Sequence, residues 1–196
     1  MLPRDLALWQ AAKPWLDVRS NDEHTLISHA LAKALLTLIP EADEAVVLPA
    51  ILLHDTGWKK MPKDKLARAV GPTPQFPELQ RDHEIASVAV GKEILARLNL
   101  GLKDAEILAI IDGHDTTKQA RSLNDAVMKD ADKLWRFTPH GRHTIAGWFG
   151  SNPTDTLAML QDFVLPCVLT PQGRAMAGAL LAEGWAMTTL TERMLG

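Results

Sequence analysis

Histidine and aspartate residues occur at several points where the neighbouring residues are apolar. His54 and Asp55 directly follow residues 46–53, one of the most apolar stretches of the chain. Such a pair at the end of a buried helix would be costly unless the two side chains are paired or bind a cation. Neutral imidazole and carboxylate are good ligands for Fe, Mn, Zn and Ni. An isolated pair also suits a helix cap with an exposed carboxylate, so its meaning depends on partners elsewhere.

Two histidines upstream compete to be the first such partner. On a helical wheel, His24 lies on the apolar face of its helix, whereas His29 lies on the opposite face beside Lys33. His24 also falls in the first helical turn, where Ser28 leaves room beside it. We therefore expect His24 to be a ligand and His29 to be a solvated surface histidine.

Two histidines downstream are further candidates. His83 is predicted to open a helix that Asp82 caps, although a surface histidine is an alternative at such a position. His114 ends an apolar run and falls on its inward face, where a satisfied core histidine is the alternative. Gly113 and Asp115 beside it indicate a chain that turns around a site.

The last candidates are two aspartates on one predicted helix. Asp130 and Asp132 flank its apolar face at nearly equal angles, so the helical wheel does not choose between them. One of them can instead pair with a neighbouring lysine or arginine at the surface, an interpretation that suits Asp130.

Helical periodicity extends over almost the whole chain and predicts an all-α fold. Helices are expected at residues 5–13, 21–39, 43–54, 82–98, 103–114 and 122–137, with two or three more after Pro139, Pro153 and Pro171. Residues 62–77 contain Gly71 and four prolines and are predicted to be mostly irregular, as a rim or lid over a site can be.

Length and composition fit one soluble domain that spans residues 1–196. The net charge of −3 argues against a nucleic-acid partner but leaves room for a small phosphorylated ligand. No signal peptide and no apolar run of about 20 residues is evident, so we expect a cytoplasmic protein without a membrane partner. Cys167, the only cysteine, is expected to be a buried and inert thiol.

Together these residues resemble the HD superfamily of metal-dependent phosphohydrolases. The order His, His-Asp, His, His, Asp on consecutive helices bears the resemblance, which extends from about Asn21 to Arg136. The matching stretches are HTLISHALAKALL, AILLHDTGW, RDHEIASVAVGKEIL, ILAIIDGHDTT and VMKDADKLWR. The resemblance implies an HD-domain helical bundle of about seven to nine helices, with a metal site between five to seven core helices at about residues 20–137. Residues 138–196, where further helices are expected, match no motif of the family.

The resemblance also implies a set of metal ligands. The four ligands common to the family correspond to His24, His54, Asp55 and Asp132. The family pattern of Ala-Asp followed two residues later by Leu selects Asp132 over Asp130. His83 and His114 match the additional histidines of HD proteins that hold two metals. The expected cofactor is one or two divalent transition-metal ions, namely Fe, Mn, Ni or Zn.

The sequence departs from the family pattern after the central pair. Many HD enzymes continue with a glycine and a lysine, but here Trp58 follows Gly57, and Lys59 and Lys60 are shifted along the chain. A lysine role at that position is therefore in doubt. The extension typical of cyclic-dinucleotide phosphodiesterases is missing, so cyclic di-GMP is not the expected substrate.

The implied reaction is hydrolysis of a nucleotide or another small phosphoester by a metal-activated water. Asp55 would hold the nucleophile, while His83 and His114 could stabilise charge on the leaving side. Substrate phosphate could be received by basic residues near the ligands, above all Lys59 and Arg136, with Lys60, Lys118, Arg121 and Lys133 as further candidates.

Two other functions are compatible with the same ligands. Some HD proteins are di-iron oxygenases that cleave C–C or C–P bonds, and the ligand set does not distinguish them from hydrolases. A non-catalytic domain that binds metal or nucleotide for regulation is the other alternative. Trp148, Trp185 and the methionine-containing C-terminal helices could form a homodimer face, although core packing explains them equally well.

Overall fold

The computed structural model of the protein describes residues 1–71 and 73–195, without the side chains of residues 67, 192 and 195. Throughout this part of the chain the regular structure is helical, which confirms the predicted all-α class. None of its helices is both long and apolar enough to cross a bilayer. The α-helices are α1 (Pro3–Ala12), α2 (Asn21–Leu38), α3 (Glu44–Leu53), α4 (Glu78–Leu98), α5 (Asp104–Ile111), α6 (Leu123–Phe137), α7 (Pro139–Phe149), α8 (Pro153–Met159) and α9 (Pro171–Leu195).

Helix starts follow the polar and proline residues that predicted them. The side chains of Asp43 and Ser122 accept hydrogen bonds from the first-turn amides of α3 and α6, which have no partner inside the helix. Helices α7, α8 and α9 each begin with a proline, the residue whose missing N–H matters least at that position.

The predicted start of α4 is wrong by one turn. The helix begins at Glu78 rather than Asp82, so Asp82 is no cap and His83 lies in the second turn. Pro77 occupies the capping position instead and ends the irregular segment. The irregular segment itself is confirmed in its described residues, which contain only a short 3₁₀ turn at Leu66–Arg68; Pro72 lies outside the described residues.

Helix α3 forms the centre of the molecule. Every residue from 46 to 53 is buried, and the helix packs against α1, α2, α5 and α6. A helix that is apolar on all sides must be surrounded by other elements, because no face of it can meet water without loss of hydrophobic stabilisation. The residues that follow it, His54 and Asp55, therefore leave the helix inside the protein.

Helix α6 joins the first part of the chain to its C-terminal helices. It packs against α2 and α3 on one side and against α7 and α9 on the other. Asp130 is fully buried and accepts hydrogen bonds from the Leu169 amide at 2.7 Å and the Thr170 amide at 2.8 Å, just before α9 begins. The interpretation of Asp130 as a surface partner of a basic residue is therefore wrong, because the start of α9 covers it.

Two further predictions about exposure are also wrong. His29 is only 4% exposed, and a carboxylate oxygen of Asp5, from α1, lies 3.7 Å from its Nε2. Cys167 is exposed, because it lies in the short 3₁₀ turn Leu165–Cys167 rather than on a packed helix face. The first error arises from a contact between distant parts of the chain and the second from a local turn, and helical periodicity describes neither.

Candidate metal centre

The structure brings the six predicted ligands into one buried cluster. One group forms around His24, whose Nε2 lies 3.1 Å from the Nε2 of His54 and 3.2 Å from an oxygen of Asp132. The same Asp132 oxygen is 3.6 Å from the His54 Nε2. These three side chains come from α2, the end of α3 and the middle of α6, and they face one common point.

A second group lies beside the first. The Nε2 atoms of His83 and His114 are 3.3 Å apart, and an oxygen of Asp115 lies 3.8 Å from each of them. His83 belongs to α4, while His114 and Asp115 belong to the turn that follows α5. Asp115 was not among the predicted ligands, although its position beside His114 in a turn was the available signal.

Asp55 lies between the two groups. One of its carboxylate oxygens is 3.5 Å from the His24 Nε2. The other is 3.6 Å from the Nε2 atoms of His54, His83 and His114. A carboxylate in this position offers an oxygen to each group, which is the arrangement that a bridging ligand requires.

The hydrogen bonds of the imidazole rings show that the cluster suits a cation. The Nδ1–H groups of His54 and His114 donate to the carbonyl oxygens of Ile51 and Ile111 at 2.8 and 2.9 Å. A neutral imidazole has a single N–H, so in their neutral form these two rings direct Nε2 lone pairs into the cluster. Ring nitrogens and carboxylate oxygens therefore converge there, an arrangement that a metal ion satisfies.

The charges of the cluster agree with this view. Burial raises the pKa of Asp132, but Arg136 and a hydrogen bond with His24 outweigh it and hold that pKa well below the usual range. Burial and the neighbouring His114 lower the pKa of His83 to about 4. At neutral pH the Asp132 carboxylate is therefore ionised and the His83 ring is neutral, as metal ligation requires of both. Burial lowers the pKa of His114, but Asp115 and Asp55 outweigh it and raise that pKa to about 9, so a bound metal ion would have to displace a proton from this ring.

Close packing of the turn after α3 sets the distance between Asp55 and His83. The amide of Gly57 donates to the Ser87 hydroxyl of α4 at 2.8 Å, and no room exists there for a side chain. Trp58 stacks on the His83 ring with the centroids 4.0 Å apart, and its indole N–H donates to Asp55 at 3.2 Å. Trp58, which stands where many HD enzymes have a lysine, thus orients both His83 and Asp55.

Glu84 holds the turn that supplies His114 and Asp115. It is fully buried, and its carboxylate accepts hydrogen bonds from the amides of Asp115 and Thr116 at 2.9 and 2.8 Å. Arg81 donates to the same carboxylate at 2.8 Å. Glu84 is a positioning residue that sequence reasoning missed, because its partners lie about thirty residues away along the chain.

The two basic residues predicted to bind substrate are placed differently. Arg136 lines the cavity beside the cluster and donates to Asp132 at 3.1 Å. Lys59 is paired with Asp17 and does not line that cavity. The prediction for Lys59 is corrected accordingly, because the turn Thr56–Lys60 directs Trp58 rather than Lys59 toward the site.

The cavity over the cluster has a volume of about 320 Å³. Its polar end includes His24, Asp55, Asp115 and Asp132, and Arg19 lies beside them. The remaining wall contains side chains from α7, from the end of α8 and from the turn that follows it, while the irregular segment contributes Val70 and Gly71. A cleft of this size over a polar cluster is typical of a small-molecule site.

Comparison with protein families identifies the class of this protein. Residues 21–136 match the HD domain, and the matched segment contains the whole cluster. The match covers more than half of the 196 residues, so the chain belongs to the HD-domain family, most of whose members are metal-dependent hydrolases. Neither the curated proteins nor the solved structures that were searched gave a significant match.

Proposed function

We propose that this protein is a metal-dependent phosphohydrolase that acts on a small phosphorylated substrate. The observation on which the proposal rests is the pairing of two three-residue groups around one shared carboxylate, Asp55. Membership of the HD family supports the reaction class. The small size of the cavity supports a compact substrate rather than a polymer.

We propose one ion for each group of ligands. His24, His54 and Asp132 would hold the first ion, the other three side chains would hold the second, and Asp55 would contact both. Divalent ions bound there would supply a water of lowered pKa and polarise a phosphoryl oxygen. The nitrogen and oxygen donors suit Fe, Mn, Ni or Zn.

The side chains around the ligands have separate tasks in this proposal. The carboxylate of Asp55 would accept a hydrogen bond from the attacking water between the two groups and orient that water toward the phosphorus. Arg136 keeps Asp132 ionised by donating to it and presents its other N–H groups to the cavity. His83 and His114 lie at the far side of Asp55, where with Asp115 they would complete the second group of ligands.

The proposal is tested by measuring metal content and phosphate release together. Protein purified without added chelator is expected to contain about two transition-metal ions per chain and to release phosphate from phenyl phosphate. Chelation should abolish the release, and one of the four metals should restore it. Failure of every metal to support phosphate release would overturn the proposal, and oxygen consumption by the iron-loaded protein would indicate an oxygenase instead.

The two upstream histidines provide a matched pair of variants. We expect His24→Ala to lower the metal content by about one ion per chain, because it removes a ligand of the first group. His29→Ala should leave the metal content unchanged, because that ring contacts Asp5 instead. Elemental analysis of both purified variants checks the assignment, and metal loss from His29→Ala alone would reverse it.

A further inference from the structure

The cavity is divided into a polar end and an apolar wall. The polar end belongs to the segment that matches the HD domain, whereas much of the apolar wall comes from residues beyond it. Six side chains that form this wall are Ile145, Trp148, Phe149, Leu160, Phe163 and Val164. The indole N–H of Trp148 is the only hydrogen-bonding group among these six side chains.

Arg19 stands at the boundary between the two halves. Its guanidinium lies 4.5 Å from the centre of the Trp58 ring and 4.7 Å from that of Trp148. Its Nε and Nη1 atoms are buried and have no hydrogen-bond partner among the described residues. Donors of a buried charged group that lack a protein partner indicate a ligand that accepts from them.

The backbone at Arg19 adopts a strained conformation. Arg19 and Ser20 both have positive φ angles, 56° and 57°, in a region that residues with a side chain rarely adopt. Such strain is tolerated where the surrounding structure fixes it, often at functional sites. Here it places the arginine against the two tryptophans immediately before α2 begins.

We propose that the substrate is a phosphomonoester of an apolar alcohol about the size of an aromatic ring, rather than a nucleotide. This proposal rests on the hydrolase function proposed above. Arg19 binds the phosphate from the side opposite the metal ligands, and the wall of residues 145–164 receives the organic group. Arg136 is less suited to this task, because its Nη1 already donates to Asp132.

The apolar wall disfavours a nucleotide on chemical grounds, although the polar side chains of Asn21 and Gln80 also line the cavity. A nucleobase and a ribose present several donors and acceptors, each of which loses its bonds to water on entering the cavity. The wall offers almost no side-chain partner for them, and the backbone of helices α7 and α8 is occupied by helical hydrogen bonds. An apolar group loses nothing there and gains from burial.

Binding of two hydrolysis-resistant phosphonates to the metal-loaded protein tests the apolar wall directly. By calorimetry, we expect benzylphosphonate to bind at least about tenfold more tightly than methylphosphonate, since only the former carries a ring to bury. Equal affinities for the two would overturn the proposal. Phosphate release should likewise have a higher kcat/KM for phenyl phosphate than for adenosine monophosphate, and the reverse order would also overturn it.

Two variants test separately how the organic group and the phosphonate group of the ligand are bound. Phe163 is 61% exposed, so Phe163→Ala should fold normally. This variant should bind benzylphosphonate about threefold or more weakly and methylphosphonate with unchanged affinity. Ile85→Ala, at a residue 53% exposed and outside the cavity, is the matched control and should change neither affinity. Arg19→Gln should lower the affinity for both phosphonates about tenfold or more.

The outcomes distinguish this inference from the function on which it rests. Release of phosphate with a preference for adenosine monophosphate would support the hydrolase and overturn the apolar substrate. Tight, Phe163-dependent binding of benzylphosphonate without release from phenyl phosphate would support the ligand class and overturn the hydrolase. Unchanged phosphonate affinity in Arg19→Gln would overturn the role of the arginine.

Discussion

Replacing Asp55 with alanine will remove metal from both halves of the cluster. Its carboxylate oxygens lie 3.5 or 3.6 Å from ligand nitrogens of both groups, so its removal affects the two sites together. The loss of even an outer-shell partner weakens metal binding by about 10–100-fold, and the loss of a shared ligand should exceed that. We expect phosphate release to fall by roughly a thousandfold or more. Elemental analysis and the phenyl phosphate assay measure the two effects.

Asp82→Asn is the matched control for this variant. Asp82 precedes His83 in α4 but is exposed to solvent, so its removal changes the charge near the site without touching the cluster. Its metal content and activity should equal those of the unmodified protein. If Asp55→Ala kept one full equivalent of metal while Asp82→Asn kept two, the shared role of Asp55 would have to be abandoned.

Replacing Gly57 with alanine will destabilise the protein and separate the two groups of ligands. A Cβ atom at this position would lie 2.0 Å from the carbonyl oxygen of His83 and 2.5 Å from the amide nitrogen of Ser87. Both contacts are with backbone, so α4 itself must move. Overpacking of this kind costs about 3 kcal/mol. In a chain of this length that corresponds to a fall in Tm of about 10 °C.

Gly147→Ala provides the control, because the space at that position is free. No atom lies within 4 Å of the Cβ that would be added, and Gly147 is an exposed residue of α7. Alanine is favoured over glycine inside a helix by about 1 kcal/mol, so this variant should be slightly more stable. Thermal unfolding measures both variants, and equal Tm values for Gly57→Ala and the unmodified protein would refute the tight contact.

The helices and most of the cluster could be predicted because the determining signals are local. Caps and prolines mark where most helices begin, and helical periodicity separates His24, which joins the cluster, from His29, which lies against Asp5 instead. Periodicity could not choose between Asp130 and Asp132, because α6 is buried on both sides and each aspartate faces a different neighbour. The family pattern made that choice, and the geometry agrees with it.

The residues that were missed depend on contacts between distant parts of the chain. Arg19 acquires its environment only when Trp58 and Trp148 meet around it. Glu84 acquires its role from the turn at Asp115, and His29 meets Asp5 of α1 only in the folded chain. None of these contacts leaves a periodic signal in the sequence, so they were available only from the folded structure.

The helical segment from α8 onward contains a π turn at Leu160–Val164, where Phe163 joins the cavity wall. A π turn has one residue more than the α turn whose place it takes, and such turns are frequent at functional sites. Deleting one residue from it would rotate the following side chains by about 100° and carry Phe163 and Val164 away from the cavity. A single-codon deletion or insertion here could therefore alter which molecules enter the site while every metal ligand stays unchanged.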